Sequence, residues 1–222
     1  MTVTAFYPDK NPESTSVDGN AHSADTTVAT WAIKRDEAGS SANDSGTTMR
    51  VLMKCASGEA NWRNFTRVIV LFDISSLGGA TVSAVTFGVW ANDKDDDFTD
   101  GIAVVSSAPA SNTDVVAGDY DSLGTTRYAT DITIANITGD DSAYSTWTFN
   151  ATGVSAVDGA SGGIVKLGMR TTFDNDDNEP TKETNSQSFV QMHTSDESAA
   201  GEKRPVLTVT SVVAFTPRAV MF

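Results

Sequence analysis

Residues 66–90 read TRVIVLFDISSLGGATVSAVTFGVW. In VSAVTFGVW (82–90) the residues Val85, Phe87 and Val89 share one parity, the period-2 signature of a strand with one covered face. FTRVIVLFDI (65–74) reads as a second strand, and SSLGG between the two reads as a turn. Asp73 ends its apolar strand where its carboxylate can accept backbone N–H groups of that turn. Arg67 lies six positions earlier on the same face, too far from Asp73 to pair with it.

The same patterning extends in both directions. VTAFY (3–7), TTVATWAIK (26–34), MRVLMK (49–54), GIAVVS (101–106), STWTFN (145–150), GIVKLGMRT (163–171), SFVQMH (188–193) and PVLTVTSVV (205–213) read as further strands. Pro205 opens its strand, where no ladder donor is lost. The stretches DEAGSSANDSG, NDKDDDFTDG, ITGDDSAYS and DGASGG read as turns. No stretch holds a 3.6-residue apolar period over three turns; only NATGVSAVDGA offers a helical turn, with Val154 and Val157 directed at the core. About ten strands at this spacing predict an all-β, two-sheet antiparallel sandwich with at most one or two short helical turns, rather than parallel βα units. Neither a repeat of 20–50 residues nor a proline-rich linker divides the chain, so residues 1–222 read as one domain, with 212–222 as a docking tail.

Charge narrows the partners. The chain carries 29 acids against 15 bases, a formal net charge of −14. That field repels phosphate backbones and anionic lipid surfaces, so nucleic acid and membrane are not expected partners. A lone Cys55 makes no intramolecular disulfide and reads as a small buried thiol, and His22 and His193 lack zinc-ligand spacing. The N-terminal MTVTAFYPDK has neither the basic nor the apolar region of a secretory leader, and no run reaches the about 18 apolar residues of a membrane span. The expectation is a protein made in a host cytoplasm, or an extracellular one if a leader has been trimmed away.

Three blocks carry a family likeness: TRVIVLFDISSLGGATVSAVTFGVW (66–90), FNATGVSAVDGASGGIVKLGMRT (149–171) and SFVQMHTSDESAAGEKRPVLTV (188–209). Together they resemble the jelly-roll sandwiches of the DNRLRE type, relatives of galactose-binding-like carbohydrate-binding modules. The resemblance covers roughly residues 66–209 and implies a jelly-roll fold. The acidic, Ser/Thr/Ala-rich make-up is also similar to structural proteins of tailed-phage virions that use such a sandwich. These likenesses imply a non-enzymatic structural or interaction protein on a virion surface: a head decoration, fibre or tail component, oligomeric in the assembly and partnered by other virion proteins. The apolar termini MTVTAFY and AFTPRAVMF would do the docking. The alternative is a carbohydrate-binding module with a structural calcium ion.

For glycans the candidate contacts are Trp62, Arg63 and Asn64 of ANWRNFTR, read as a turn, together with Tyr144 of GDDSAYS. Sugar rings stack on exposed aromatic faces while Asn, Asp and Arg take the hydroxyls. For calcium the candidates are Asp174, Asp176, Asp177 and Glu179 of FDNDDNEP (173–180). The spacing departs from an EF-hand, because loop positions six and twelve hold Glu179 and Asn185 in place of the glycine and glutamate. A second run, Asp93, Asp95, Asp96, Asp97 and Asp100, follows Trp90 and is placed to meet the first at one rim. Both runs also read as solvated loops that keep sheet edges from pairing. A glycosidase pair would need one acid raised in pKa inside a cleft, which runs of adjacent wet aspartates do not favour. The string GASGG (159–163) matches a nucleophile elbow by letter, but it precedes a strand instead of following one. His193 reads as a strand-terminal histidine with one hydrogen bond.

Overall fold

The computed structural model describes residues 1–25, 28–58, 61–197 and 203–212. Among these residues fourteen strands are formed: β1 (Thr2–Phe6), β2 (Asp18–His22), β3 (Ser41–Asn43), β4 (Thr48–Cys55), β5 (Trp62–Asp73), β6 (Thr81–Val89), β7 (Ala91–Asp96), β8 (Gly101–Ser107), β9 (Leu123–Arg127), β10 (Ile132–Thr133), β11 (Ser145–Thr148), β12 (Ile164–Thr171), β13 (Gln187–His193) and β14 (Val206–Val212). Three short helices join them: α1 (Trp31–Asp36), α2 (Ala151–Gly159) and α3 (Thr172–Asp176). The strands make two antiparallel sheets. One has the order β1-β14-β6-β11. The other has ten strands, runs β10-β8-β12-β5-β4-β13-β7, and carries β2, β3 and β9 off that path.

The sheets face each other across one apolar layer. Val85, Phe87 and Val89 of β6 do share the inner face, packed with Trp147, Leu207 and Val209 against Val68, Val70 and Phe72 of β5. Phe72 and Phe87 meet edge-on across the layer, with centroids 6.0 Å apart. Helix α2 caps one side of this layer. Asn150 accepts from the Gly153 N–H at its start, and Val157 is buried in the core with Val154 packed against it.

The larger sheet is covered on its outer face as well. Alternate residues of β5, including Phe65, Ile69 and Leu71, pack with Trp31, Trp62, Phe98, Tyr120 and Leu123 in a second apolar layer. This is why β5 is buried along nearly its whole length and shows no alternation in sequence. It is the spine of the molecule. On one edge β4 pairs with its first half and β12 with Val68–Asp73; on the other, β2 pairs with Thr66–Val70. The Asp73 carboxylate accepts the Ser75 N–H at 2.9 Å, closing the SSLGG turn as expected.

Two local expectations need correction. Of TTVATWAIK, the described residues 28–34 hold only an isolated bridge at Ala29 before α1, which turns Trp31 and Lys34 inward one helical turn apart. NDKDDDFTDG is not all turn, because Ala91–Asp96 pairs with β13 as β7. As β7 ends the main path of the sheet, its aspartates guard an edge against further pairing. VTAFY forms a strand as expected within β1, hydrogen-bonded to β14 with Phe6 buried, while Met1 and Val3 stay 90% and 64% exposed. The tail 213–222 lies outside the described residues.

Candidate functional site

β12 runs into α3, and that junction holds the acidic loop. Met169 pairs with Val68, which sets Arg170 beside Arg67 on the outer face of the neighbouring strands. Thr171 caps α3, accepting the Asp174 N–H at 3.3 Å, and so directs Asp174 back over both arginines. Asp174 Oδ1 accepts from Arg67 Nη2 and Arg170 Nη2 at 2.8 and 2.7 Å. Oδ2 accepts from Arg67 Nε and Arg170 Nε at 2.8 and 2.9 Å. Four N–H donors fill the acceptor sites of one carboxylate. Asp174 is 2% exposed and both arginines 3%. Burial pushes the Asp174 carboxyl up, but Arg67 and then Arg170 outweigh it and hold it below its ordinary 3.8.

The arginines are anchored in turn. Arg67 donates to the carbonyls of Tyr120 and Arg35, both at 2.9 Å, and its guanidinium stacks 4.0 Å from the Tyr120 ring centroid. Tyr120 donates to the Lys34 carbonyl at 3.0 Å, and Lys34 reaches Glu37 at 2.8 Å and the Ala24 carbonyl. One acid thus ties α3, α1 and the turn at 117–122 to the spine of the sheet.

The other three proposed calcium ligands point elsewhere. Asp176 is bidentate with Arg127, at 2.7 and 2.9 Å. Asp177 accepts from Trp31 Nε1 at 2.9 Å, and Glu179 accepts from Trp62 Nε1 at 2.8 Å and Lys182 Nζ at 2.7 Å. No group of three or more His, Cys, Asp or Glu is arranged to hold a metal ion among the described residues. Asp174, Asp176, Asp177 and Glu179 therefore do not assemble the predicted calcium site. Arginine donors take both oxygens of Asp174 and Asp176, and indole and ammonium donors take Asp177 Oδ1 and Glu179 Oε1, in competition with any hard cation.

The two acidic runs do meet at one rim. Asp97, Phe98, Phe173, Glu179 and Glu183 line a cleft of about 560 Å³. Burial raises the Glu179 carboxyl, but Lys182 and Trp62 bring it below its ordinary value, the reverse of a general acid. Two acids are raised: Asp18, pushed up to about 8, and Asp100, to about 7, each mainly by burial. Both are enclosed, Asp18 accepting from the Ser195 N–H at 2.8 Å and Asp100 from the Gly101 N–H at 2.7 Å. Neither lines the cleft.

The proposed sugar contacts are dispersed. Trp62 is fully buried as the first residue of β5, in a T-shaped cluster with Trp31 and Phe65 at 5.1–5.2 Å. It offers no face to a sugar, because none of its surface is exposed. Tyr144 stands against Trp90 at 5.0 Å, and its hydroxyl donates to the Arg204 carbonyl at 2.9 Å. Arg63 pairs with Asp25 at 3.0 Å. Asn64 alone lines a polar hollow, next to Asp25 and His22. Cys55 is buried, its thiol pushed up to about 11 by burial. His193 Nε2 meets Asp141 at 2.8 Å. Of the GASGG string, Gly159 ends α2 and Gly163 precedes β12, so no nucleophile elbow forms. What the sequence concealed is the Arg67–Asp174–Arg170 centre, whose only local trace is the i, i+4 spacing of Arg170 and Asp174.

No family model and no curated protein matches the chain.

Proposed function

We propose that this protein is a non-enzymatic structural and interaction protein: a β-sandwich displayed on a larger assembly, with glycans as its ligand class. The setting implied by its sequence likeness is a virion surface, among other virion proteins. One observation carries the non-enzymatic part of the reading. Asp174, one of the four acids that the sequence put forward for calcium, is saturated by four arginine N–H donors and spends its charge on holding the fold. The raised acids Asp18 and Asp100 are enclosed, 1% and 3% exposed, and bonded to backbone. The test is affinity electrophoresis on gels cast with a panel of polysaccharides, followed by an assay for new reducing ends. Retardation without new reducing ends is expected. Release of reducing ends by the purified chain would overturn the reading.

A further inference from the structure

Around Thr66, where β5 is paired by both β2 and β4, the sheet leaves a polar surface. His22 pairs with Thr66 across β2 and β5, Leu52 with Thr66 and Lys54 with Asn64 across β4 and β5, and Gln191 with Arg50 across β13 and β4. Opposed residues share a face, so these side chains converge on one side. Two hollows of about 300 and 210 Å³ open there, and both are walled by His22 and Arg50.

The floor of this surface is a continuous chain of hydrogen bonds. The Arg50 N–H donates to Asn20 Oδ1 at 3.2 Å, and Asn20 Nδ2 meets His22 Nε2 at 2.6 Å. His22 Nδ1 meets Thr66 Oγ1 at 3.1 Å, and Thr66 donates to Asn64 Oδ1 at 3.0 Å. Since the Asn20 amide and the Thr66 hydroxyl are both committed as donors, the chain closes with a neutral His22 protonated on Nδ1. Burial and then Arg50 lower the His22 pKa, in keeping with that form.

Two cations are left over. The Arg50 guanidinium and the Lys54 ammonium, both half-buried, form no hydrogen bond or ion pair among the described residues. Arg50 lies 5.6 Å over the Phe189 ring, and the nearby Asp25 is engaged by Arg63. In a chain of net charge −14, the guanidinium groups of Arg35, Arg63, Arg67, Arg127 and Arg170 each pair with a carboxylate, whereas Arg204 stacks on the Tyr7 ring. A half-buried arginine without one bears a desolvation cost that an incoming anion relieves. Ser41, Asn43 and Gln191 line the same hollows and make no side-chain hydrogen bond among the described residues.

We propose that Arg50 and Lys54 bind the carboxylate of an acidic sugar in these hollows, while Ser41, Asn43 and Gln191 take its hydroxyls. Arg50 presents a planar fork that fits a carboxylate at two points. The charge favours one carboxylate per sugar over a dense polyanion, because Asp25 and Asp93 act on Arg50 through space and the overall field is negative. Recognition rests on charge and hydroxyl contacts, since Phe189 is 8% exposed and offers no stacking face.

This inference rests on the glycan-binding reading, and titration calorimetry on the full chain separates the two. The probes are oligogalacturonate, 3′-sialyllactose and a hyaluronan hexasaccharide, set against methyl-esterified oligogalacturonate, lactose and inorganic phosphate. Binding of at least one acidic probe, weakened about tenfold or more in Arg50→Gln, is expected. Lys54→Gln, in the larger hollow, provides the same readout if Arg50→Gln does not fold. Acidic and esterified probes bound alike, phosphate bound as well as the sugars, or affinity unchanged in both folded variants would each overturn the acidic-sugar site alone. Binding of none of the glycans would overturn the glycan-binding reading with it.

Discussion

Arg67 and Asp174 are 107 residues apart in the chain and meet in a two-point ion pair, 2.8 Å at each contact, with less than a twentieth of either residue exposed. The pair fastens α3 to the central strand, and Arg170 repeats it on the same carboxylate. A buried pair of this kind is costly to break from one side, because the remaining charge stays enclosed. Asp174→Asn is expected to lower stability by about 3–5 kcal/mol. Asp176→Asn removes a pair that stands in solvent, and is expected to cost less than about 1 kcal/mol. Urea denaturation of both variants at pH 7 checks the contrast; equal losses would contradict it.

Asp18 gives the molecule a pH dependence of known sign. Its folded carboxyl titrates near 8 against an ordinary 3.8, so the folded state keeps a proton that the unfolded chain releases. Its contribution is complete below pH 3.8 and is lost as pH rises through about 8. Asp18→Asn is therefore expected to raise the melting temperature at pH 8 and above, with the gain shrinking towards pH 4. A gain independent of pH would mean that Asp18 is ionised in the fold.

His22 runs the other way. Its folded pKa lies below its ordinary 6.5, so its contribution is present above that pH and is lost as pH falls towards the folded value. Protonation also turns Nε2 into a donor facing the Asn20 amide. Nitrogen-detected NMR is expected to show the Nδ1–H tautomer at pH 7 and a midpoint below 6.5. An Nε2–H tautomer would break the assigned chain.

Gly39, just after α1, lies against the turn that carries Tyr120. A Cβ there would run into the Ala117 carbonyl oxygen and stand 2.7 Å from Tyr120 Cβ. Gly39→Ala is expected to cost about 1–3 kcal/mol through forced separation of the two segments. Gly118, on the same turn, has open space around its would-be Cβ, and Gly118→Ala is expected to be neutral or stabilising by up to about 1 kcal/mol. Thermal melts of the two variants give the comparison.

The parts legible in the sequence are those whose physics is local. β6 alternates because one of its faces is covered, and α2 shows its Asn150 cap and its inward valines. β2 was invisible: DGNAH has no apolar alternation, and its buried polar groups are satisfied by residues as distant as Ser195. Helix α1 was misread because TTVATWAIK alternates locally, whereas its helical form is chosen by the pockets that receive Trp31 and Lys34. The acidic loop looked wet because its counter-charges lie on other strands. Arg67, read only against Asp73, proves to be the partner of Asp174. Trp62 looked like a turn residue for want of any local sign that Trp31 and Phe65 enclose it.

The central claim is that Asp174 is an enclosed, ionised brace rather than a ligand or an acid. Carbonyl-detected NMR titration of its side chain tests this most directly. The account predicts a carboxylate that stays ionised until below pH 3.8, its chemical shift unmoved by added calcium. A midpoint above 3.8, or a shift that saturates with calcium, would contradict it.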